Sequence, residues 1–89
     1  MRGVNQRKQF RRDYKRQKRR GKNIDKLDAI VALLVRYGTL DRAYKPHKLS
    51  GVYEGLWECH IESNWLLIYD VTEKEVLLTR TGTHADLFE

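Results

Sequence analysis

Glu58 and His60 stand two residues apart in WECHI (57–61). The other two histidines flank that segment, His47 in HKLSG (47–51) and His84 in RTGTH (80–84). Imidazole is the side chain most easily poised to give or take a proton near neutral pH, so these residues point to general acid–base chemistry. On an extended strand the period of two puts Glu58 and His60 on one face and Trp57, Cys59 and Ile61 on the other. The α-carbons of Glu58 and His60 are then about 7 Å apart, and both side chains reach one bound group. An ordinary solvated sheet face carries the same pattern, and a single loop histidine is ordinarily a surface side chain. Topology raises their significance. In a meander, the loop before one strand and the tail after another meet at one sheet end, where His47, Glu58, His60 and His84 converge. Arg80, four residues before His84, is placed to neutralise a phosphate or to act as a cross-strand charge.

Rival chemistries fit less well. Cys59 and His60 are adjacent, so on a strand they point to opposite faces. No C-x₂-C or H-x₃-H pair exists, which leaves no structural zinc site and no expected metal. Cys59 falls on the covered face, where a small buried hydrophobe is expected rather than a nucleophile. There is no phosphate-binding loop and no dinucleotide-binding glycine pattern, and no cofactor is expected.

The elements that must position these residues can be read in chain order. Residues 1–5 allow a short edge strand. From about Gln6 to Arg20 the chain lacks Gly and Pro and is rich in helix formers. Phe10 and Tyr14 give this helix one narrow apolar stripe, and Gly21 suits a left-handed C-terminal cap. Asn23 can cap a second helix carrying Ile24, Leu27, Ile30, Val31, Leu34 and Tyr37 at helical spacing, ended by Gly38. The short connection predicts an antiparallel helix hairpin. Periodicity is lost from Thr39 to Gly55. Strands are predicted over 56–61, 65–72 and 75–81, joined by turns at Ser63-Asn64 and Glu73-Lys74 and therefore antiparallel. The middle strand is apolar on both faces, as a covered central strand requires. Leu87 and Phe88 can dock the tail. The expected fold is α+β: a single domain, 1–89, with an N-terminal helix hairpin on an antiparallel sheet of three or four strands.

Charge divides the chain. Residues 1–22 hold eleven Lys or Arg and one acid, whereas 23–89 carry a net −4, giving +6 overall. Concentrating positive charge in one helix is costly in self-repulsion and favours a polyanionic partner. One cysteine cannot make an internal disulfide. No apolar run approaches the roughly 20 residues a bilayer crossing needs, and no apolar stretch follows the basic N-terminus. The expectation is a soluble, cytoplasmic protein without a membrane partner.

Three blocks in order, HKLSG, GLWECHIESNWLLIYDV and LTRTGTHADLF, resemble the YafQ group of the RelE/ParE toxin superfamily, the small toxins of bacterial type II toxin–antitoxin pairs. The resemblance covers residues 47–88, and the basic hairpin fits the same fold. It implies a ribosome-dependent endoribonuclease, an mRNA interferase, that cuts mRNA in the ribosomal A site without a metal. In that chemistry the substrate 2′-hydroxyl attacks the adjacent phosphate. Carried over by motif, His47, Glu58, His60 and His84 are the catalytic set. Asn64, Trp65, Arg80 and Phe88 become substrate contacts, with Phe88 stacking on a base. In the same reading Arg11, Lys15, Arg16, Lys18, Arg19, Arg20 and Lys22 face ribosomal RNA, and a cognate antitoxin is the protein partner. The division expected is Glu58 and His60 on the general-base side, His84 as acid, and His47 and Arg80 on the phosphate. Two departures stand out: Asn64 occupies a position that is often Asp, and Glu58 one where some members have Asp. A ParE-like toxin acting on DNA gyrase has no need of the histidines. A non-catalytic RNA-binding module predicts stacking and charge without them.

Overall fold

The computed structural model describes all 89 residues. In chain order it contains β1 (Gly3–Gln6), α1 (Lys8–Arg19), α2 (Ile24–Tyr37), β2 (His47–Lys48), β3 (Trp57–Glu62), β4 (Trp65–Val71), β5 (Glu75–Gly82) and α3 (His84–Phe88). Two 3₁₀ turns, Arg42–Tyr44 and Gly51–Tyr53, flank β2. The strands form one sheet ordered β1-β5-β4-β3-β2.

The second helix follows its sequence signals closely. The Asn23 side chain accepts a hydrogen bond from the Asp25 N–H, satisfying an amide that has no partner within the helix. Leu27, Ile30 and Leu34 bury one stripe against the sheet. Gly38 (φ 73°) ends the helix in the left-handed region, its N–H donating to the Leu34 carbonyl. Gly21 (φ 83°) likewise follows α1.

The expected antiparallel sheet needs correcting at both edges. β1 pairs with β5 in parallel, Gly3 opposite Glu75 through Gln6 opposite Leu78. Its entry is fixed by Arg2, whose N–H donates to the Val35 carbonyl and whose Nε donates to the Thr72 carbonyl. All four β1 residues are exposed, so no buried face left an alternation in the sequence. At the other edge, His47 and Lys48 are a two-residue strand opposite Glu58 and Trp57, where an irregular loop was expected. A run of two is too short for a periodicity to register.

The central strand β4 is buried on both faces, by two different covers. On one side α1 and α2 pack Phe10, Leu27, Ile30 and Leu34 against Cys59, Trp65, Leu67, Tyr69, Val76 and Leu78. On the other, Leu66 and Ile68 lie under Leu87 of α3, with Leu49, Tyr53 and Leu56 around them. The helix hairpin covers one face only. The second cover is the C-terminal helix together with the loop around β2. Fully burying an apolar side chain of this size contributes about 1.5–3 kcal/mol.

One irregularity decides which way the end of β5 points. Ile68 pairs with Arg80 while Tyr69 pairs with Leu78, leaving Thr79 as an extra residue. Val76 and Leu78 face the helices, and Thr81 also faces them, accepting the Trp65 indole N–H at 3.0 Å. Arg80 and Gly82 are therefore turned to the opposite face. A bulge re-aims side chains in this way.

Candidate active site

The face opposite the helices carries the polar residues in two rows. Strand pairing sets His47 beside Glu58, Glu58 beside Ile68, and Ile68 beside Arg80. The next row runs His60, Leu66, Gly82, and His84 follows two residues later as the first residue of α3. Side chains directly opposite on paired antiparallel strands lie about 4.5–5.5 Å apart at Cβ, so these rows bring four separate sequence segments to one patch.

Glu58 is the centre of the first row. One carboxylate oxygen lies 3.3 Å from His47 Nε2 and 4.0 Å from His60 Nε2, and the Glu58 side chain is only 7% exposed. Glu58 is thus a carboxylate sheltered between two imidazoles and not part of an ordinary solvated face. The other nitrogen of His47, Nδ1, is 3.0 Å from the Lys45 carbonyl. Lys45 is the one non-glycine residue with a left-handed backbone (φ 52°), and its carbonyl is the group that meets His47. Cys59 points the other way, wholly buried, with burial pushing its thiol up to about 12. No three His, Cys, Asp or Glu side chains are grouped to share a metal ion.

Short as it is, α3 is tightly fixed. Thr83 caps it in a reciprocal box: the Thr83 hydroxyl accepts the Asp86 N–H while the Asp86 carboxylate accepts the Thr83 N–H. Gly82 leaves room for this, because a Cβ there would sit 2.8 Å from the Asp86 carboxylate. Arg20 grips Asp86 at 2.6 Å, and that bond holds its carboxyl well below the usual carboxylate range. Asn64 accepts the His84 N–H at 3.1 Å through its side-chain oxygen, tying α3 to the β3–β4 turn. The His84 and Phe88 rings lie 4.8 Å apart, and Phe88 remains 39% exposed.

Several expected contacts have other occupations. Trp65 is wholly buried among the helices and cannot touch a substrate; it faces the core because its phase on β4 matches Leu67 and Tyr69. Arg80 does not stand free for a phosphate. Its Nε and Nη2 donate to Asp13 at 2.6 and 3.2 Å, and its Nη1 lies 3.4 Å from the Tyr53 hydroxyl. Asp13 also accepts the Thr81 N–H, taking over the edge of β5 where β1 stops.

The basic helix is similarly divided. Arg20 is engaged by Asp86, with Arg16 at 3.9 Å from the same carboxylate. Lys22 and Lys26 bind Glu62 at 3.0 and 2.9 Å, drawing its pKa below the usual value. Arg11, Lys15, Lys18 and Arg19 form no ion pair, and the last three border a shallow surface hollow.

The sequence reasoning passed over Asp13, Tyr53 and Asp86. Asp86 had a signal, since Thr83 with an acid three residues on is a capping pattern. Asp13 and Tyr53 had none, because their partners are distant in the chain.

Comparison with known proteins places the chain in a family. A family model described as a bacterial toxin of type II toxin–antitoxin system, YafQ, matches residues 2–89. The chain belongs to the YafQ toxin family. The Escherichia coli (strain K12) protein named mRNA interferase toxin YafQ is 40% identical over 81 residues, covering 90% of this chain and 88% of the relative. The crystal structure of YafQ from E. coli strain BL21(DE3) superposes with a TM-score of 0.92 at 36% identity over the whole of both chains. YafQ in the E. coli DinJ–YafQ complex gives 0.90 at 37% identity, again over both full chains. The YafQ fold is thus shared from end to end, basic hairpin included. No helix of this chain is long and apolar enough to cross a membrane.

Proposed function

We propose that this protein is an mRNA interferase, the toxin of a type II toxin–antitoxin pair, and that it cleaves mRNA in the ribosomal A site. The observation that carries the reading is the sheltered Glu58 between His47 and His60, on the face that also holds His84 and Phe88. Support comes as well from the 40%-identical E. coli relative, which is named an mRNA interferase toxin.

In this reading the Glu58–His60 side takes the proton from the substrate 2′-hydroxyl. The oxygen attacks the adjacent phosphorus and the bond to the 5′-oxygen breaks. His84 gives a proton to that leaving oxygen, so the products are a cyclic phosphate and a free 5′-hydroxyl, with one proton taken up and one released. His47 stands beside the phosphate, where developing charge needs stabilisation. Phe88 stacks on a base. The protein supplies these groups without a resident metal. The unpaired cations of α1, Arg11, Lys15, Lys18 and Arg19, meet ribosomal RNA, and Arg16, Arg20 and Lys22 lie at the border of that surface. The protein partner is an antitoxin, as DinJ is for E. coli YafQ.

The test is cleavage of a defined mRNA in purified ribosome complexes, with free RNA as control. Cuts confined to the A-site codon, present only with ribosomes and lost in a His60→Ala, His84→Ala double variant, are expected. Cleavage by the double variant within about threefold of the unaltered protein removes the assignment, since such groups contribute about 10²–10⁴-fold.

A further inference from the structure

Tyr53 joins the two halves of the molecule at the candidate site. It lies in the 3₁₀ turn after β2, half-buried on the face that carries His47 and Glu58. Its hydroxyl accepts from Arg80 Nη1 at 3.4 Å and donates to the Leu87 carbonyl of α3 at 3.1 Å. Its ring meets Phe88 edge-on, centroids 5.6 Å apart at 90°, and Phe88 in turn lies 4.8 Å from the His84 ring. Arg80 is itself fixed by the buried Asp13 of α1. A continuous chain of contacts therefore runs from the basic helix through Asp13, Arg80, Tyr53 and Phe88 to His84.

The clamps on α3 are not equivalent. Asn64 holds its first N–H and Arg20 holds Asp86 on its flank. Neither touches the exposed aromatic. Tyr53 alone holds both the last turn of the backbone, through Leu87, and the ring of Phe88. Edge-to-face aromatic contact fixes a ring's tilt as well as its distance, and the hydroxyl bond fixes where Tyr53 itself stands. Arg80, turned to this face by the Thr79 bulge and held by Asp13, reaches that hydroxyl with its remaining Nη1 at 3.4 Å.

We infer that Tyr53 is a positioning residue, which sets the placement of the His84 and Phe88 rings for the reaction proposed above. The inference rests on that reading for its catalytic part and on the contact chain for its structural part. It assigns Arg80 a supporting place behind Tyr53 instead of a place on the phosphate. A displacement of about 1 Å in a reacting group is enough to cost about a hundredfold in rate.

The experiment pairs a kinetic and a spectroscopic measurement on Tyr53→Phe, which removes only the hydroxyl, and Tyr53→Leu, which removes the ring as well. Single-turnover cleavage in ribosome complexes is expected to slow by about tenfold or more for Tyr53→Phe at saturating protein, with the half-saturating concentration held within about twofold. In the isolated protein, the ring-proton NMR signals of His84 are expected to move, more for Leu than for Phe, while those of His47 and His60 stay in place. Unmoved His84 signals, or an unchanged rate at saturation, overturn the inference. If the unaltered protein fails to cleave on ribosomes, the A-site reading falls, and the His84 signals still decide whether Tyr53 positions that ring. Unchanged backbone amide spectra away from α3 establish that the variants are folded.

Discussion

Removing Asp13 is the severest single test of how this protein is held together. Its carboxylate is 2% exposed and accepts from Arg80 Nε at 2.6 Å, Arg80 Nη2 at 3.2 Å, the Thr81 N–H at 3.2 Å and Gln9 Nε2 at 3.2 Å. Asp13→Ala orphans a buried backbone amide and leaves a half-buried guanidinium without its counter-charge. Breaking a buried pair from one side costs about 3–5 kcal/mol. Because the Arg80 side chain keeps 20% exposure, water recovers part of its solvation, and the loss should fall near the lower end, about 3 kcal/mol. A domain of this size has on the order of 5–10 kcal/mol in total. The melting temperature should therefore fall by about 12–24 °C, at about 4–8 °C for each kcal/mol. Asp13→Asn keeps one acceptor and should lose about half as much. Urea unfolding followed by tryptophan fluorescence measures both. A loss below about 1 kcal/mol for Asp13→Ala would refute the view that this pair closes the edge of β5.

Gln17 is wholly buried and neither atom of its amide has a partner, so Gln17→Met should raise stability by about 1–2 kcal/mol in the same urea assay. For Asp86 the sign follows from its depressed folded pKa. The stabilisation is present above its unfolded pKa, about 3.9, and is lost as pH falls toward the lower folded value. The gap between the unaltered protein and Asp86→Asn should thus be near 1 kcal/mol at pH 7, discounted for the exposure of Arg20, and should close in pH-dependent melts below about pH 4. Asn64→Asp preserves the acceptor for the His84 N–H and should cleave within about threefold of the unaltered protein, whereas Asn64→Ala should lose about 1 kcal/mol and slow cleavage. Reversing Lys15, Lys18 and Arg19 to Glu should reduce the salt slope of ribosome binding by about 2–3, and an unchanged slope would remove these residues from the interface.

How much of this was legible beforehand depended on the range of the interactions. The second helix was readable to the residue, because Asn23, the apolar stripe and Gly38 are all local signals. β3, β4 and β5 were readable to within one residue at their ends, as was the alternation that puts Glu58 and His60 on one face. The shelter of Glu58 was not, since it depends on a two-residue strand at His47 that has no periodicity of its own. Trp65 was misassigned because a motif position does not say which face its side chain takes. Arg80 was half readable: its phase depends on one extra residue at Thr79, and its partner Asp13 lies 67 positions away. The motif blocks brought the correct family, and His47 and His60 do meet at Glu58. The parts that hold the cluster, Asp13, Tyr53 and Asp86, emerged only from the folded chain.

The parallel pairing of β1 with β5 has a consequence for the order of assembly. Gly3 to Gln6 find their partners at Glu75 to Leu78, nearly the whole chain later, and such distant closures are the slow part of folding. Val76 and Leu78, which complete the main core, lie on the same late strand, and His84 and Phe88 come after it. While the protein is being synthesised, its basic helix emerges early and its site cannot exist until the last strand has been made. The core and the row that leads to His84 are therefore completed together, when β5 has been made and has met β1.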